Sequence, residues 1–271
     1  MLLLLLCGAA ISFAAQAASG HDLIQRGDDF FSMRATGATG DRGDRTYAVN
    51  AINAYRQAMG DASVEREASV RLLRALYFLG CYAFSDSQDR LQAFKEAKSV
   101  GERMVVKYPG DPDLSYWFSV NLSLWANEIG PLAAIRSGFA DKIREVSESA
   151  ISHGNNAGLA GIYQVMGRMH HLLPRIPFVL SWPDKRLAEQ YLAKAVQLDP
   201  DNLANHLFLA EFYRDMGRFE DARRVLTPLV SRKPRAGQEL EDRRSLWKLH
   251  ELDLALHIVS DPERVAMLQL K

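Results

Sequence analysis

Residues 203–234 constrain the fold more than any other part of the chain, because large and small apolar side chains recur there at helical spacing. One predicted helix carries His206, Leu209, Ala210 and Tyr213, and a second carries Ala222, Leu226 and Leu229. Gly217 permits a tight turn between them, and Pro234 ends the second helix. Alanines where helices touch, with larger residues filling the space between them, predict an antiparallel helix pair.

This unit resembles the tetratricopeptide repeat, and looser versions of it recur upstream. Counted at Leu76, Trp117, Tyr163 and His206, the first helices of four units begin 41, 46 and 43 residues apart. The extra length falls mainly in turns near residues 130–131 and 174–183. We therefore predict an all-α fold, a right-handed superhelical array of about four antiparallel helix pairs.

Further helices are predicted on both sides of the array. Residues 22–33 and 46–59 form two helices ahead of it, and residues 35–45, rich in Gly, Asp and Thr, read as a loop. Residues 236–259 form a long amphipathic helix with a leucine stripe: Leu240, Leu246, Leu249, Leu252 and Leu256. We expect this helix to cap the exposed face of the last repeat.

The first 17 residues read as a secretory signal peptide, which leaves residues 18–271 as one helical domain. An apolar stretch runs from Leu2 to about Phe13, and Ala15-Gln16-Ala17 supplies a small-x-small cleavage pattern, although no basic residue precedes the stretch. Lipidation at Cys7 is disfavoured because Leu6 precedes it. A retained membrane anchor stays an alternative, although the stretch is shorter than the ~20 residues of a span. The sequence thus predicts a periplasmic or otherwise exported protein.

Composition and motifs exclude several classes of function. With 33 basic and 33 acidic residues, the chain lacks the excess charge expected for binding nucleic acid or, as its main partner, an anionic membrane. No phosphate loop, dinucleotide fingerprint or Gly-x-Ser-x-Gly elbow occurs, and His170 and His171 are adjacent helix positions that do not chelate together. We predict a protein that is soluble after signal removal, not an enzyme, with no cofactor and no metal.

The candidate binding surface is the concave face, which the first helices of such arrays line. Its predicted residues are Tyr77, Cys81, Phe84, Phe118, Leu122, Trp125, Gln164, Arg168, His171, Leu207, Glu211 and Arg214. The first half of this set is apolar, which suits a hydrophobic ligand or partner protein, and Arg168 and Arg214 are placed to meet a carboxylate. In the alternative interpretation, the two N-terminal helices fold over these aromatic residues and make them core.

A wider stretch carries a more specific resemblance. Residues 117–200 combine Tyr116-Trp117 to Trp125, a turn at Gly130, Val165-Met166-Gly167-Arg168, and Asp184-Lys185-Arg186-Leu187-Ala188 after a proline-rich loop. This resembles the T-component family of TRAP transporters and is similar to regulator-of-microtubule-dynamics repeats. The resemblance implies a periplasmic accessory of solute uptake that associates with a solute-binding protein and forms oligomers around a ligand passage. A general scaffold for envelope-complex assembly, with a peptide in its groove, is the alternative.

Overall fold

The structure, a computed structural model, describes residues 18–153 and 158–259, with side chains to residue 257. Its twelve helices over these residues are α1 (Gly20–Ser32), α2 (Arg45–Ala58), α3 (Glu65–Phe78), α4 (Ser87–Lys107), α5 (Pro112–Ile129), α6 (Pro131–Ser137), α7 (Phe139–His153), α8 (Leu159–Leu172), α9 (Lys185–Leu198), α10 (Leu203–Asp215), α11 (Phe219–Leu226) and α12 (Glu239–Val259). A π-helical turn, Leu79–Ala83, continues α3. The predicted signal peptide lies outside the described residues.

Short polar side chains set where the helices begin. Asp44, Asp86, Asp111, Asp184 and Asn202 each accept a hydrogen bond from a backbone N–H in the first turn of the following helix. These N-terminal N–H groups have no partner within the helix, so each cap contributes roughly 1 kcal/mol. Five of the helix starts are therefore encoded locally in the sequence.

The helices pack as antiparallel pairs, which confirms the predicted all-α repeat array. The pairs are α1/α2, α3/α4, α5/α7, α8/α9 and α10/α11, and α12 follows them. The predicted helices 22–33 and 46–59 correspond to α1 and α2. They form a fifth pair rather than an addition in front of the array.

Close packing between helices depends on small residues, as the pattern predicts. A Cβ atom at Gly101 of α4 would lie 2.2 Å from the Phe118 ring of α5, and one at Gly167 of α8 would lie 2.6 Å from Leu192 of α9. Contacts this short leave no room for any side chain, so glycine is required at both positions. Neighbouring layers are in this way fixed by pairs of one small and one large residue.

The capping helix is confirmed, and it also reaches the beginning of the array. Four of its leucines, Leu246 to Leu256 at helical spacing, pack against α10 and α11. Leu240 instead belongs to the large core that contains Phe31 and Phe78. Arg244 extends this contact through an ion pair to Asp41 at 2.8 Å and a hydrogen bond to the carbonyl of Cys81 at 2.9 Å. Because α12 touches both the last repeat and the first, the array closes on itself.

The two predicted long turns contain structure of their own. Gly130 ends α5 with φ of 83° and leads directly into α6. Between α8 and α9, Ile176 and Leu180 form an antiparallel bridge that encloses a three-residue tip. Within the described ranges, no helix combines the length and apolar character needed to cross a bilayer.

Candidate functional site: a closed central cavity

The array surrounds a cavity of about 1550 Å³ that is partly open to solvent. Its walls are the inner faces of α1, α3, α5, α8, α10 and α12, together with the start of α6. Exposed lining residues such as Leu172 and Lys248 mark where the cavity meets solvent. A volume of this size exceeds that of most small-molecule sites, which hold about 300–1000 Å³.

One wall is aromatic. The ring of Trp117 on α5 lies 5.4 Å from Tyr77 on α3 and 4.8 Å from Tyr116, measured between ring centroids. Tyr82 lies 6.0 Å from Tyr77 and stacks on Phe78 at 5.2 Å. Burial raises the pKa of Tyr116 and of Tyr82 to about 12, so both phenols are neutral at physiological pH. This wall therefore offers a broad, uncharged surface for an apolar ligand.

Arginines occupy the closure between α1 and α12. Arg34 is 3% exposed, donates to Glu241 at 2.8 and 3.0 Å, and also donates to the carbonyls of Phe31 and Gly237. Its guanidinium lies 4.4 Å from the centre of the Phe31 ring. A fully paired arginine at this depth both satisfies its charge and fastens the ends of the array together.

A second arginine of the same region is also paired. Arg71 on α3 forms an ion pair with Asp28 of α1 at 2.8 Å and another with Glu67. Asp28 accepts a further hydrogen bond from the hydroxyl of Tyr55 at 2.8 Å. The carboxylates nearest to this part of the cavity, Asp28 and Glu241, are thus already engaged by Arg71 and Arg34.

Arg74 is the exception. It lines the cavity one turn before Tyr77, and its guanidinium lies 4.9 Å from the Phe31 ring, on which Arg34 also packs. Among the residues that the structure describes, none forms an ion pair or a hydrogen bond with it. Burial, followed by the positive charge of Arg34, lowers the pKa of Arg74, yet a guanidinium stays protonated at neutral pH. Arg74 is therefore a half-buried cation without an ion pair of its own, although the charges of Glu241 and Asp28 partly offset the lowering of its pKa.

On α8, by contrast, the arginine that lines the cavity has a carboxylate partner. Arg168 lines the cavity and donates to Glu211 of α10 at 2.6 Å, with its guanidinium 4.2 Å from the Phe208 ring. Burial lowers the pKa of Arg168, and the charge of Glu211 partly offsets this. Beside it, the amide of Gln164 donates to Asn205 at 2.6 Å. Gln164 and Arg168 of α8 are thus both bonded to α10.

The charges of the lining do not balance. Seven basic side chains and four acidic ones line the cavity, although the whole chain is neutral. Because low-polarity walls strengthen electrostatic interactions, this excess favours an anion inside the cavity. Arg74 is where that preference is strongest, since its neighbours already have partners.

Several predicted site residues do line the cavity. Tyr77, Gln164 and Arg168 face it, and so do Cys81 and Leu207. Their role in binding remains a prediction. The thiol of Cys81 has its pKa raised to about 12 by burial, which leaves it protonated and unreactive at neutral pH.

The predicted orientation of α5 is wrong. Phe118 is fully buried against Gly101, Leu122 is 2% exposed, and Trp125 packs beside Lys98 of α4. The cavity is lined instead by Tyr116, Trp117, Val120 and Leu124. Helix α5 is apolar on nearly every face, so the pattern did not determine its rotation, and an error of one residue turns a helix by about 100°. Phe118 is core, as in the alternative prediction, but it packs on Gly101 of α4 and not beneath the two N-terminal helices.

Four other predicted residues lie away from the cavity lining. Phe84 follows the π-helical turn and lines a shallow outer groove between α2 and α4. His171 is 4% exposed, with its Nε2 3.0 Å from Asp215, and Arg214 pairs with the same carboxylate outside the cavity. Glu211 reaches the site only through Arg168. The prediction that Arg214 lies on the ligand-binding face is therefore wrong, because Arg214 does not line the cavity.

The two adjacent histidines serve packing and hydrogen bonding. Nδ1 of His170 accepts a hydrogen bond from the backbone N–H of Asp184 at 2.9 Å, which holds the start of α9. Burial lowers the pKa of both imidazoles, so they are neutral at physiological pH. In the part of the chain that the structure describes, no three His, Cys, Asp or Glu residues are grouped so that they could hold a metal ion.

Sequence reasoning missed Arg74, Tyr116 and the closure by α12. Arg74 precedes Tyr77 by three residues and so shares its helix face, which was a usable signal. It was overlooked because the repeat pattern was read from Leu76 onwards, whereas α3 begins at Glu65. The contact between α12 and the loop after α1 joins residues about two hundred positions apart, which no local pattern reports.

Comparison with known proteins supports the repeat architecture. Residues 186–241, which include α9, α10 and α11, match the model of the tetratricopeptide repeat family. A thermophilic TPR protein of Thermus thermophilus matches over 87% of this chain and 100% of its own, with 16% identity and a TM-score of 0.59. Yeast Tom70 matches over 93% of this chain and 44% of its own, with 16% identity and a TM-score of 0.49. No curated protein matches the sequence.

The match to the repeat family and the similarity to the Thermus structure show the class of fold. At 16% identity the similarity to the Thermus protein shows the architecture alone. A tetratricopeptide architecture is typical of non-enzymatic scaffolds that bind other proteins.

Proposed function

We propose that this protein is an exported binding protein whose central cavity takes up a hydrophobic ligand carrying an acidic group. It acts as an accessory of a periplasmic solute-uptake system and presents or receives the ligand together with a partner such as a solute-binding protein. The resemblance of residues 117–200 to TRAP T-components and the predicted signal peptide support the location and the partner.

The closure of the array by α12 is the observation that carries the proposal. An open concave groove suits an extended peptide, which lies along it and leaves at both ends. Here the pairs Arg34–Glu241 and Arg244–Asp41 join the C-terminal helix to the loop after α1. A space of about 1550 Å³ that is walled by the array and open to solvent on one part of its rim favours a compact or flexible small molecule over a long peptide.

The lining indicates the chemistry of that ligand. The aromatic wall of Tyr77, Tyr116 and Trp117 suits an apolar body, and Arg74 suits a carboxylate or similar anion close to it. A bound anion would give Arg74 the partner that it lacks in the protein itself. Arg168 and Arg214, which were predicted to bind an anion, already have carboxylate partners. We therefore assign anion binding to Arg74 instead.

A scaffold that binds a peptide of an envelope complex remains the second candidate. The tetratricopeptide architecture favours it, since such arrays commonly bind proteins. A peptide would have to enter this cavity by its end, with its terminal carboxylate near Arg74.

Native mass spectrometry of the full-length chain purified from the envelope fraction tests the proposal. We expect a co-purifying acidic small molecule of mainly apolar character on the wild type, and a much lower occupancy in Arg74→Met. Arg214→Met serves as a matched control and should keep its ligand. Recovery of a peptide in the cavity would favour the scaffold, and recovery of neither would contradict both.

A further inference from the structure

Exposed apolar residues are concentrated in two short segments at the cavity wall. Residues 129–140, which include α6, and residues 172–183, which join α8 to α9, contain five of the ten large exposed hydrophobic side chains of the described residues. These are Leu132, Ile135, Leu172, Phe178 and Val179. Both segments line the same cavity, through Pro131 and Ala134 in the first and Leu172 and Leu173 in the second.

The two segments are held on the same part of the molecule. Trp182 of the second segment donates to Asp141 in the first turn of α7 at 3.0 Å, and Arg144 of α7 packs on its ring at 5.3 Å. Helix α7 begins directly after α6. Trp182 thus holds the α8–α9 connection against α7, next to α6. We call the exposed apolar residues of α6 and of this connection the rim patch.

The tip of the second segment is rigid and unusually exposed. Ile176 and Leu180 exchange two backbone hydrogen bonds of 2.8 Å, and Leu180 is buried in the main core. Between them, the side chain of Phe178 is fully exposed and its backbone has a φ of 65°. A left-handed conformation is unfavourable for a bulky residue, and such strain is commonly retained where it serves a function. The protein thus holds an aromatic side chain in water at a steric cost.

The two segments themselves are basic, since they contain Arg136 and Arg175 and no Asp or Glu. The carboxylates directly beside them, Glu128, Asp141 and Asp184, each pair with an arginine, at 2.8, 3.6 and 3.4 Å. Arg136 and Arg175 are exposed. A protruding aromatic and aliphatic tip flanked by arginines is complementary to the surface of an anionic lipid bilayer, where apolar side chains enter the acyl boundary and cations meet the headgroups.

We propose that the rim patch docks the protein onto an anionic lipid bilayer, with Phe178 and Val179 inserted at the interface. The neutral chain lacks long-range attraction to a membrane, so docking depends on this local patch. Docking here would turn the rim of the cavity at Pro131 and Leu172 toward the bilayer. The proposal is independent of what the cavity binds.

Sedimentation with lipid vesicles tests this proposal. We expect the full-length protein to sediment with vesicles of phosphatidylcholine and phosphatidylglycerol in a three-to-one ratio, and to bind about tenfold more weakly after Phe178→Asp. Arg136→Gln and Arg175→Gln should each weaken binding about fivefold. Val106→Ser, which alters an exposed apolar residue near the end of α4 and outside the rim patch, should bind like the wild type.

A substitution that relieves the strain separates docking from folding. Asparagine tolerates a positive φ far better than phenylalanine, so Phe178→Asn should raise the Tm by a few degrees while weakening vesicle binding. Wild type that fails to sediment, or Phe178→Asp that sediments equally well, would overturn the proposal. A wild-type dimer that Phe178→Asp dissociates, with no vesicle binding, would overturn it too and assign the patch to contact between two copies.

Discussion

Arg74 and Arg168 lie on different walls of one cavity and differ in a single respect. Each is half-buried, each has a lowered pKa because of that burial, and each packs on a phenylalanine ring. Arg168 also has Glu211 at 2.6 Å, whereas no carboxylate of the described chain pairs with Arg74. The arginine on α8 therefore has an ion-pair partner within the protein, whereas the arginine on α3 has none among the described residues.

This difference separates a structural role from a binding role. The Arg168–Glu211 pair joins α8 to α10 and gains nothing from a ligand. Arg74 feels Glu241 and Asp28 only at a distance and has no ion pair, and a bound anion would supply the missing partner. The aromatic wall formed by Tyr77 and Trp117 begins one turn from Arg74, so the incomplete side of the cavity also carries the surface for an apolar body.

The largest effect is expected at Arg168. Arg168→Met removes the partner of Glu211, and we expect the free energy of unfolding to fall by about 2 kcal/mol, because both side chains are mostly buried. Urea denaturation measures this. Arg168→Met combined with Glu211→Gln should recover most of the loss, since neither charge is then left unpaired. Equal losses in the single and double variants would contradict a structural pair.

The α8 side should also respond to acid. Burial lowers the pKa of His170 and His171 below their ordinary 6.5, so the unfolded chain binds protons first as the pH falls. Their contribution is therefore intact above pH 6.5 and is lost as the pH falls below it. His170 faces Asp184 and Arg144, and His171 faces Asp215, Arg168 and Lys185.

Denaturation curves between pH 7 and pH 5 check this, with His170→Gln as the comparison. The variant should lose less stability than the wild type over that interval, because one of the two titrating imidazoles is gone. Arginines do not titrate between pH 7 and pH 5, so Arg74 does not change how the free energy of unfolding depends on pH in this range. Parallel curves for the two proteins would refute the assignment.

A smaller effect of opposite sign is expected at Arg74. Arg74→Met removes a charge that has no ion pair and keeps an apolar contact with Phe31, so the free energy of unfolding should stay the same or rise by up to about 1 kcal/mol. Thermal denaturation without ligand measures it. A clear destabilisation would show that Arg74 has a structural partner, and the contrast with Arg168 would fail.

The smallest effect is expected at Arg214. Its pair with Asp215 is exposed on the outside of the array, so Arg214→Ala should change stability by less than about 0.5 kcal/mol. Ligand binding should not change, because Arg214 does not line the cavity. A loss of binding in this variant would restore the sequence-based prediction for Arg214.

The sequence predicted the repeat fold well where local chemistry decides it. Residues 203–234 contain the predicted helix pair, α10 and α11, and Ala210 and Ala222 are fully buried. The predicted end of the second helix is wrong, because α11 stops at Leu226, so Leu229 and Pro234 lie beyond it. Gly101 and Gly167 lie at close contacts between helices, where the repeat pattern places small residues. These features depend on spacing within one or two helices, which a single sequence displays.

The site was predicted less completely for a physical reason. The rotation of α5 about its axis depends on the contact between Phe118 and Gly101 of α4. Because α5 has apolar residues on nearly every face, its sequence does not indicate which face makes this contact. The meaning of Arg74 depends on which carboxylates its neighbours have taken, and Glu241 comes from α12 at the far end of the sequence. Contacts of this range become visible only once the array closes.

Isothermal titration of dodecanoate into the full-length protein tests the central claim most directly, with dodecanol as the uncharged control. We expect the wild type to bind dodecanoate at least about tenfold more tightly than dodecanol, a difference that one charge-assisted hydrogen-bonded pair supplies. Arg74→Met should lose this preference, while the Arg168→Met and Glu211→Gln double variant keeps it. No binding by the wild type, or an undiminished preference for dodecanoate in Arg74→Met, would contradict the account.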